Sequence, residues 1–523
     1  MTEPSGGEPV AAGLQGATLR GLVRDTFVYG SGDVLLRAAA ILTIPIYTRV
    51  FSPDDYGTWA FVTTAVWLLN AFLIVGMDSA YTRFFFDVRS DRERQALTTT
   101  SLVFVAAWST LVVVALLPFT PAISEWIFDT DEHWPLFVIA LVTAPLVLVS
   151  AIASTALRNT FRAGLFSIFN VAVTLTGIAI GLYLVIVEDR GVEGPLIGVL
   201  AATAIVLPLR LWTIRALLAR AFAWKSLRGM LAFGLPLVPM TLALWVMLVS
   251  DRIVIAKVST TEQLGLYTIA VGAVSILALA DAAFTQAWLP RALQAYDRDP
   301  VSASAFYARV LTYLIVTFGF AALVLSAFAE ELLGVLTGSD FHGAAIAVGP
   351  LTLAAVALAS SQVLSMGVRI SKRTMYSTLA AGLAAVLNLV LNLIFVPEHG
   401  MIAAAWSTAA AYGFLAVAQY VVSQRLVRIE FELRRSLAAA AVTFALVLAV
   451  RLIEDSEGAT ELALKLGLCL AYFPLLAAVG VVGERELEAL RGLRVSGLRR
   501  RVALPTDSAQ AARRGTSGPT APD

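Results

Sequence analysis

Long apolar runs follow one another along almost the whole chain, and this feature most constrains what the chain can fold into. A helix needs about 20 mostly apolar residues to cross a bilayer, and the runs between charge-rich breaks reach or approach that length. Counting these runs predicts fourteen spans. They cover residues 27–49, 57–77, 97–118, 135–157, 164–187, 195–212, 230–256, 264–290, 303–328, 344–368, 375–395, 401–422, 437–452 and 463–482.

The overall composition agrees with this pattern and excludes other classes of protein. Of the 523 residues, 58% are hydrophobic and 14% are charged, whereas soluble domains carry about 25% charged residues. This composition excludes a soluble enzyme and a disordered scaffold. The net charge of +1 gives no overall field that would attract nucleic acid. We therefore predict an all-α polytopic membrane protein with no nucleic-acid partner.

The loops between the spans are short, so no soluble domain is predicted within the chain. The N-terminal segment has no cationic start before an apolar core, which favours a tail rather than a signal peptide. The predicted division is a cytoplasmic tail (1–26), a six-helix lobe (27–212), a cytoplasmic linker (213–229), a second six-helix lobe (230–422), helices 13 and 14 (437–482) and a partly disordered cytoplasmic tail (483–523).

The charges in the loops alternate in sign along the chain. Loops after odd-numbered spans are mainly acidic, as at Asp54, Asp55 and Asp129, and loops after even-numbered spans are rich in arginine and lysine. Short cytoplasmic loops of membrane proteins carry an excess of Lys and Arg. This pattern predicts that both termini lie on the cytoplasmic side of the membrane.

Two joints between spans resemble each other at an offset of 208 residues. RVFSPDDYGTW (49–59) and KVSTTEQLGLY (257–267) both have a cation, a Ser or Thr, an acidic turn, and then Gly-x-aromatic. Two generic external turns would also look alike in this way. The alternative is a parallel repeat of six spans, with the substrate site between the two halves near the middle of the membrane.

Several ionisable residues fall inside predicted spans, where a charge usually faces a cavity or a partner. Asp33 and Arg37 are one helical turn apart, so they form either an ion pair or the lining of a cavity. Asp251 and Arg252 are adjacent and cannot pair well, so each needs a partner on span 1, 2 or 8. Asp281, Arg309, Arg49 and Arg83 complete this set.

Neither a metal site nor an enzyme active site is indicated. The single cysteine, Cys469, and three scattered histidines lack the spacing of metal ligands. Asp129 and Asp131 form a DxD pair, but they lie in a short loop on the external side. No phosphate-binding glycine-rich loop occurs. We predict no cofactor, no metal and no catalytic residue.

Several motifs, in order through the first 290 residues, resemble the Wzx-type flippases of lipid-linked oligosaccharides, within the superfamily of multidrug and oligosaccharidyl-lipid exporters. They are IPIYTRVFSPDDYG (44–57), GMDSAYTRFF (76–85), FGLPLVP (233–239), SDR (250–252), GLY (265–267) and QAWLP (286–290). The second half of the chain matches by span count only.

The resemblance implies two six-helix lobes around a cationic cavity, with two extra C-terminal helices. It also implies alternating-access transfer of undecaprenyl-pyrophosphate-linked oligosaccharide from the cytoplasmic to the outer leaflet. Implied partners are this lipid-linked glycan, membrane lipid, and the polysaccharide polymerase and chain-length machinery. The predicted substrate-binding residues are Arg37, Arg49, Arg83, Trp245, Arg252, Gln286, Trp288 and Arg309, and the ion-coupling candidates are Asp33, Asp251 and Asp281.

Two alternative functions stay open at this stage. A flippase for peptidoglycan precursors would handle the same type of anionic lipid. A cation-coupled exporter of small molecules would favour a cavity that is richer in carboxylates than in arginines.

Overall fold

The architecture is seen in a computed structural model that describes residues 43–88, 90–235, 238–373, 375–453 and 458–481. The described part consists of helices and their connections and contains no β-strand. In the first half of the chain, the helices are α1 (43–50), α2 (Pro53–Leu73), α3 (Met77–Asp87), α4 (Asp91–Leu116), α5 (Thr120–Phe128), α6 (Trp134–Asn159), α7 (Ala163–Ile186), α8 (Glu193–Thr213) and α9 (Trp224–Gly234).

The second half continues with the same alternation of long and short helices. Its helices are α10 (Val238–Val258), α11 (Thr261–Arg298), α12 (Pro300–Ala327), α13 (Ala329–Leu336), α14 (Ala345–Leu364), α15 (Met366–Ile370), α16 (Met375–Leu426), α17 (Leu433–Arg451) and α18 (Ala459–Ala478). We call residues 43–235 the first half and 238–426 the second half; α17 and α18 are the appended pair.

Residues Met375–Leu426 form two antiparallel helices rather than one long rod. Gly400 breaks the helix with φ 58° and ψ −140°, a backbone conformation that glycine adopts easily. The Gln419 amide donates to the hydroxyl of Ser377 at 2.6 Å, and the Asn388 amide donates to that of Thr408 at 3.3 Å. Both pairs are centred on residue 398, so the chain folds back there and provides the predicted spans 11 and 12.

Among the described residues, eleven helical segments are long and apolar enough to cross a membrane. One of them is the α16 hairpin, which contains two predicted spans. Predicted span 7 overlaps α10, which is not among the eleven, and most of predicted span 1 lies outside the described residues. The multi-pass, all-helical fold is therefore confirmed, whereas the count of fourteen spans stays a prediction.

The structure also differs from the sequence reading at several joints. Predicted span 2 is interrupted at Val75 and Gly76, which have positive φ, and the backbone of Gly76 packs directly on that of Gly234. Helix α9 therefore packs with the first half, although a second lobe starting at residue 230 would have included its end. Two of the stretches that the sequence predicted to be external loops contain short helices, α5 and α13.

The two halves meet where α2 and α11 cross near their first turns. A side chain on Gly57 would overlap the carbonyl of Thr261, and one on Gly265 would overlap the carbonyl of Pro53. Gly57 and Gly265 are the glycines of the 208-residue repeat, and their contacts are reciprocal. The caps match as well, because Ser52 accepts from the third backbone N–H of α2 and Thr260 does the same for α11. The two joints are thus structurally equivalent.

The appended pair packs on the outside of the second half. Tyr472 of α18 donates to the Val316 carbonyl of α12 at 3.0 Å, and its hydroxyl lies 3.1 Å from that of Thr443 in α17. A side chain on Gly319 of α12 would overlap both hydroxyl groups. This close three-helix contact places α17 and α18 away from the crossing of α2 and α11.

Candidate substrate cavity between the two halves

A cavity of about 550 Å³ lies between the halves, next to the crossing of α2 and α11. One wall comes from α2 in the first half, and the opposite wall comes from α10, α11, α14 and the second helix of the α16 hairpin. The polar and aromatic residues that line it are Tyr56, Trp59, Thr63, Thr64, Trp67, Asp251, Arg252, Tyr267, Thr268, Ser275, Thr408 and Tyr412. The repeat had predicted a site between two halves, and a cavity is present there.

Asp251 and Arg252 both line this cavity from α10. Asp251 is 6% exposed, and its carboxylate accepts hydrogen bonds from the Tyr267 hydroxyl and, at 2.9 Å, from the backbone N–H of Arg252. Tyr267 lies on predicted span 8, one of the three spans expected to hold a partner. Since a buried carboxylate is costly without such donors, these two hydrogen bonds stabilise Asp251 in its buried position.

The polar lining continues behind Asp251 as a chain of neutral groups. The Ser250 hydroxyl donates to the side-chain oxygen Oδ1 of Asn388 at 2.9 Å, and the side-chain amide of Asn392 donates to the same oxygen at 3.1 Å. Asn388 in turn donates to Thr408, which lines the cavity. Within the described residues, the buried side-chain oxygen of Asn392 accepts no hydrogen bond. Buried polar atoms of this kind usually have a partner, which can be water or an ion.

Arg252 is the one predicted substrate-binding residue, among those whose side chains are described, that lines the cavity. Arg252 is half-buried and shares the cavity lining with Tyr56, Tyr267 and Tyr412. The rest of the lining is mainly apolar, with a few hydroxyl groups. An arginine in such surroundings is suited to a phosphate group, because its donors form a rigid fork and the neighbouring dielectric is low.

The other predicted arginines lie elsewhere. Arg83 is exposed on α3 and forms an ion pair with Asp87 at 3.4 Å. Arg309 is exposed on α12 and donates to the Ala305 carbonyl of its own helix. Arg49 lies at the joint of the halves, beyond the crossing, where it donates to the Pro45 and Val335 carbonyls. None of these three lines the cavity.

The predicted residues of α11 are also spread apart. Trp288 is buried in an aromatic cluster with Phe284, Phe306 and Tyr307 and thus packs α11 on α12. Gln286 is exposed, and Asp281 is half-buried with one carboxylate oxygen that lacks a protein donor in the described part. Neither lines the cavity. Asp33, Arg37 and the side chain of Trp245 lie outside the described residues.

Sequence reasoning missed a buried cation, Arg210, in the first half. Its guanidinium donates to the hydroxyl groups of Ser150 and Ser154 and to Asn170 at 3.1 Å. It also lies over the ring of Phe169. Arg210 thereby joins α6, α7 and α8 through neutral groups. It lies near the end of its span, where an arginine is ordinary, so only the polar residues on neighbouring helices could have indicated its burial.

The described residues contain no group of three or more His, Cys, Asp or Glu side chains that could hold a metal ion. Among the described side chains, the cavity lining offers one arginine, one carboxylate, hydroxyl groups and aromatic rings. Such a set can bind and release an anionic, hydroxyl-rich group, since it supplies charge-assisted donors beside flat apolar faces.

Comparison with known proteins gives the family. Residues 46–346, more than half of the chain, match the family described as "Polysaccharide biosynthesis protein". No curated protein sequence matches the chain.

Solved structures give the fold. The lipid II flippase MurJ in an inward closed conformation superposes with a TM-score of 0.69 at 13% identity, covering 87% of this chain and 98% of that one. An inward-facing multidrug resistance transporter of the MATE family gives 0.62 at 14%, covering 74% and 94%. A MOP superfamily transporter from Pyrococcus furiosus, with a binding pocket of reverse polarity, gives 0.55 at 14%, covering 80% and 97%.

These structural neighbours are transporters and flippases, not enzymes, and at such identities the likeness is one of fold. The predicted resemblance to oligosaccharide exporters of this superfamily is confirmed by the family and the fold together. The chain is a multi-pass membrane protein with the fold of MOP-superfamily transporters, and it belongs to the polysaccharide biosynthesis protein family.

Proposed function

We propose that this protein is a flippase that carries undecaprenyl-pyrophosphate-linked oligosaccharide from the cytoplasmic to the outer leaflet of the bacterial inner membrane by alternating access. The supporting observation is the cavity between the halves, with Arg252 on its wall, in a member of a polysaccharide biosynthesis family. The flipped glycan then serves surface polysaccharide assembly, where polymerase and chain-length proteins are the expected partners.

The size and lining of the cavity fit the head group of such a lipid. A volume of about 550 Å³ falls within the range of roughly 300–1,000 Å³ found for pockets that hold drug-sized ligands. Arg252 provides a charged donor for pyrophosphate. The hydroxyl groups of Thr63, Thr64 and Ser275 and the faces of Trp59 and Trp67 provide partners for sugar hydroxyl groups and ring edges.

Asp251 is proposed as the ion-coupling group. It is buried beside the cavity, and the unpaired oxygen of Asn392 belongs to the polar chain that continues behind it. A carboxylate in this position can take up a proton or a monovalent cation when the substrate leaves, so that ion binding and substrate binding alternate. Asp281 is the second candidate, because it is half-buried with one oxygen that lacks a protein donor in the described part.

A peptidoglycan precursor is the second candidate cargo, since the superposed MurJ is described as a lipid II flippase. Both cargoes have a polyprenyl pyrophosphate, so the arginine alone does not separate them. Export of small organic cations is the third. Among the described side chains, one arginine and one carboxylate line the cavity, and these two charges give it no net negative charge to attract a cation.

The test is a leaflet-exposure assay in proteoliposomes that compares the three cargoes: undecaprenyl-pyrophosphate oligosaccharide, lipid II and a fluorescent organic cation. We expect exposure of the oligosaccharide by the wild type and its loss in Arg252→Gln. Arg309→Gln is the matched control, because it removes an arginine from outside the cavity. Movement of lipid II or of the cation alone would assign a different cargo, and equal loss in both variants would remove Arg252 from the site.

A further inference from the structure

We propose that Arg49 and Lys257, equivalent positions of the repeat, are a reciprocal pair of latches that hold the cavity closed at the end where α2 and α11 begin. Each cation reaches from its own half to the last turn of a short helix in the other half. The loop charges assign this end to the outer face. The proposal rests on the proposed transport function, because it describes how one side of the transport cavity is closed.

Arg49 makes the first contact. It lies in the last turn of α1 in the first half, and its guanidinium donates to the Val335 carbonyl at 3.3 Å. Val335 is the penultimate residue of α13, in the second half. The last four carbonyls of a helix have no partner within it, and the helix dipole places partial negative charge there, so a cation is stabilised at this end. A second bond to the Pro45 carbonyl, at 2.7 Å, fixes the direction of the arginine.

Lys257 makes the equivalent contact in the opposite direction. It belongs to the last turn of α10 in the second half, and its ammonium donates to the Trp126 carbonyl in the last turn of α5, in the first half. The same ammonium lies 5.4 Å from the Trp126 ring centroid and 3.7 Å from the carboxylate of Asp129, which ends α5. Lys257 is thus held by a helix end, a ring and a carboxylate.

The two contacts agree with the repeat to within one residue. Arg49 and Lys257 are 208 positions apart, and their acceptors Trp126 and Val335 are 209 apart. The contacts flank the crossing at Gly57 and Gly265. If the halves part at this end, both cations must leave their helix ends. A contact between a cation and a helix end in water is weak, worth about a two- to fivefold change in population, so a transport cycle can break it repeatedly.

The two latches are not identical. Beside Arg49 lies a polar pocket of about 620 Å³ that includes Asp340 and His342, whereas Lys257 lies close to Asp129 and the Trp126 ring. Both side chains are exposed, so the additional partners of Lys257, a carboxylate and a ring, distinguish the two latches. We therefore expect Lys257 to contribute more of the closure than Arg49.

The experiment measures access to the cavity from the outer face without any substrate. A single cysteine replaces Ser275 in the cavity, in a Cys469→Ala background, and a membrane-impermeant maleimide is added to right-side-out vesicles. Arg49→Gln and Lys257→Gln are each expected to raise the labelling rate about two- to fivefold, and the double variant should multiply the two factors. Arg49→Lys and Lys257→Arg, which keep the charge, should label as the wild type does.

Arg451→Gln is the matched control. Arg451 of α17 also donates to a backbone carbonyl, that of Ile346 at 2.6 Å, but this contact does not join the two halves. Its removal should leave labelling unchanged. Unchanged labelling in the double variant, with a normal melting temperature, would overturn the latch, as would a rise seen only in inside-out vesicles. Since no glycan is needed, failure of the flippase assay and failure of the latch are separate results.

Discussion

The two halves of this protein have the same features where they contact each other, and they differ in the charged side chains that they bury. At the crossing, the same glycine, the same hydroxyl cap and a cation occur in both. In the interior, the first half buries a cation, Arg210, among neutral partners away from the cavity. The second half buries an anion, Asp251, on the cavity wall. The shared parts form the contact between the halves, whereas the interiors differ: one half buries a cation, and the other buries the carboxylate proposed above as the coupling group.

Substitutions at Gly57 and Gly265 have the largest expected effect on stability, and they test whether the two joints are equivalent. Gly57→Leu and Gly265→Leu each place a side chain into the backbone of the opposite helix, and overpacking costs about 1–3 kcal/mol or more. We expect both variants to lose at least about 3 kcal/mol of unfolding free energy, since backbone cannot move aside as a side chain can. Thermal unfolding in detergent measures this.

Gly382→Ala is the control for this prediction, because no atom lies within 4 Å of the added methyl group. It should unfold no more easily than the wild type, because alanine in a helix interior is about 0.5–1 kcal/mol more favourable than glycine. If leucine were tolerated at only one of Gly57 and Gly265, the crossing would not be symmetric. The two joints of the repeat would then not be structurally equivalent.

Arg210 provides the second effect, restricted to the first half. Arg210→Lys keeps the charge but cannot reach Ser150, Ser154 and Asn170 together, and hydrogen bonds to charged groups are worth about 1.5–3 kcal/mol each. We expect a loss of about 1.5–3 kcal/mol of stability while transport per folded molecule is unchanged. A variant that folds normally but no longer transports would place Arg210 in the transport pathway.

Unlike a substitution at Arg210, a substitution at Asp251 should change transport more than stability. Asp251→Asn keeps an oxygen that accepts from Tyr267, so its effect on stability should be about 1 kcal/mol. The charge that we propose couples transport to an ion is lost, so we expect accumulation against a gradient to stop. The measurement is glycan exposure with and without an imposed ion gradient. A variant that still responds to the gradient would shift the coupling role to another residue, with Asp281 the next to test.

The sequence predicted the joint better than the interior. The joint could be read because cap, glycine and cation are local signals with fixed spacing, and they recur 208 residues later. Arg252 and Asp251 could be read because a charge deep in an apolar run needs a reason. The break between α2 and α3 lies within one predicted span, and the turn at Gly400 lies between two predicted spans. The lengths of the apolar runs did not indicate either feature.

The depth of a residue in the membrane could not show which of the remaining arginines and aromatic residues line the cavity. Arg83, Arg309 and Trp288 have the residue types of a binding site, yet they point to an exposed ion pair, to their own helix and to a packed aromatic cluster. The direction of a side chain depends on how its helix is rotated against its neighbours. This rotation is set by long-range packing, such as Gly76 on Gly234, which no local pattern encodes.

The helix caps provide the smallest effect and the sharpest test of how far the equivalence extends. Ser52 has a reciprocal cap, since Asp55 also accepts from the Ser52 backbone and hydroxyl. Thr260 accepts from Gln263, whose own side chain instead accepts from Ser259 and from the backbone of Met401. Loss of a cap typically costs about 1 kcal/mol, so we expect about 1 kcal/mol for Ser52→Ala and about half of that for Thr260→Ala, measured by chemical unfolding. Equal losses would mean that the reciprocal bond of Asp55 adds nothing; a larger loss in Thr260→Ala would mean that the cap also positions Gln263 against the hairpin at Gly400.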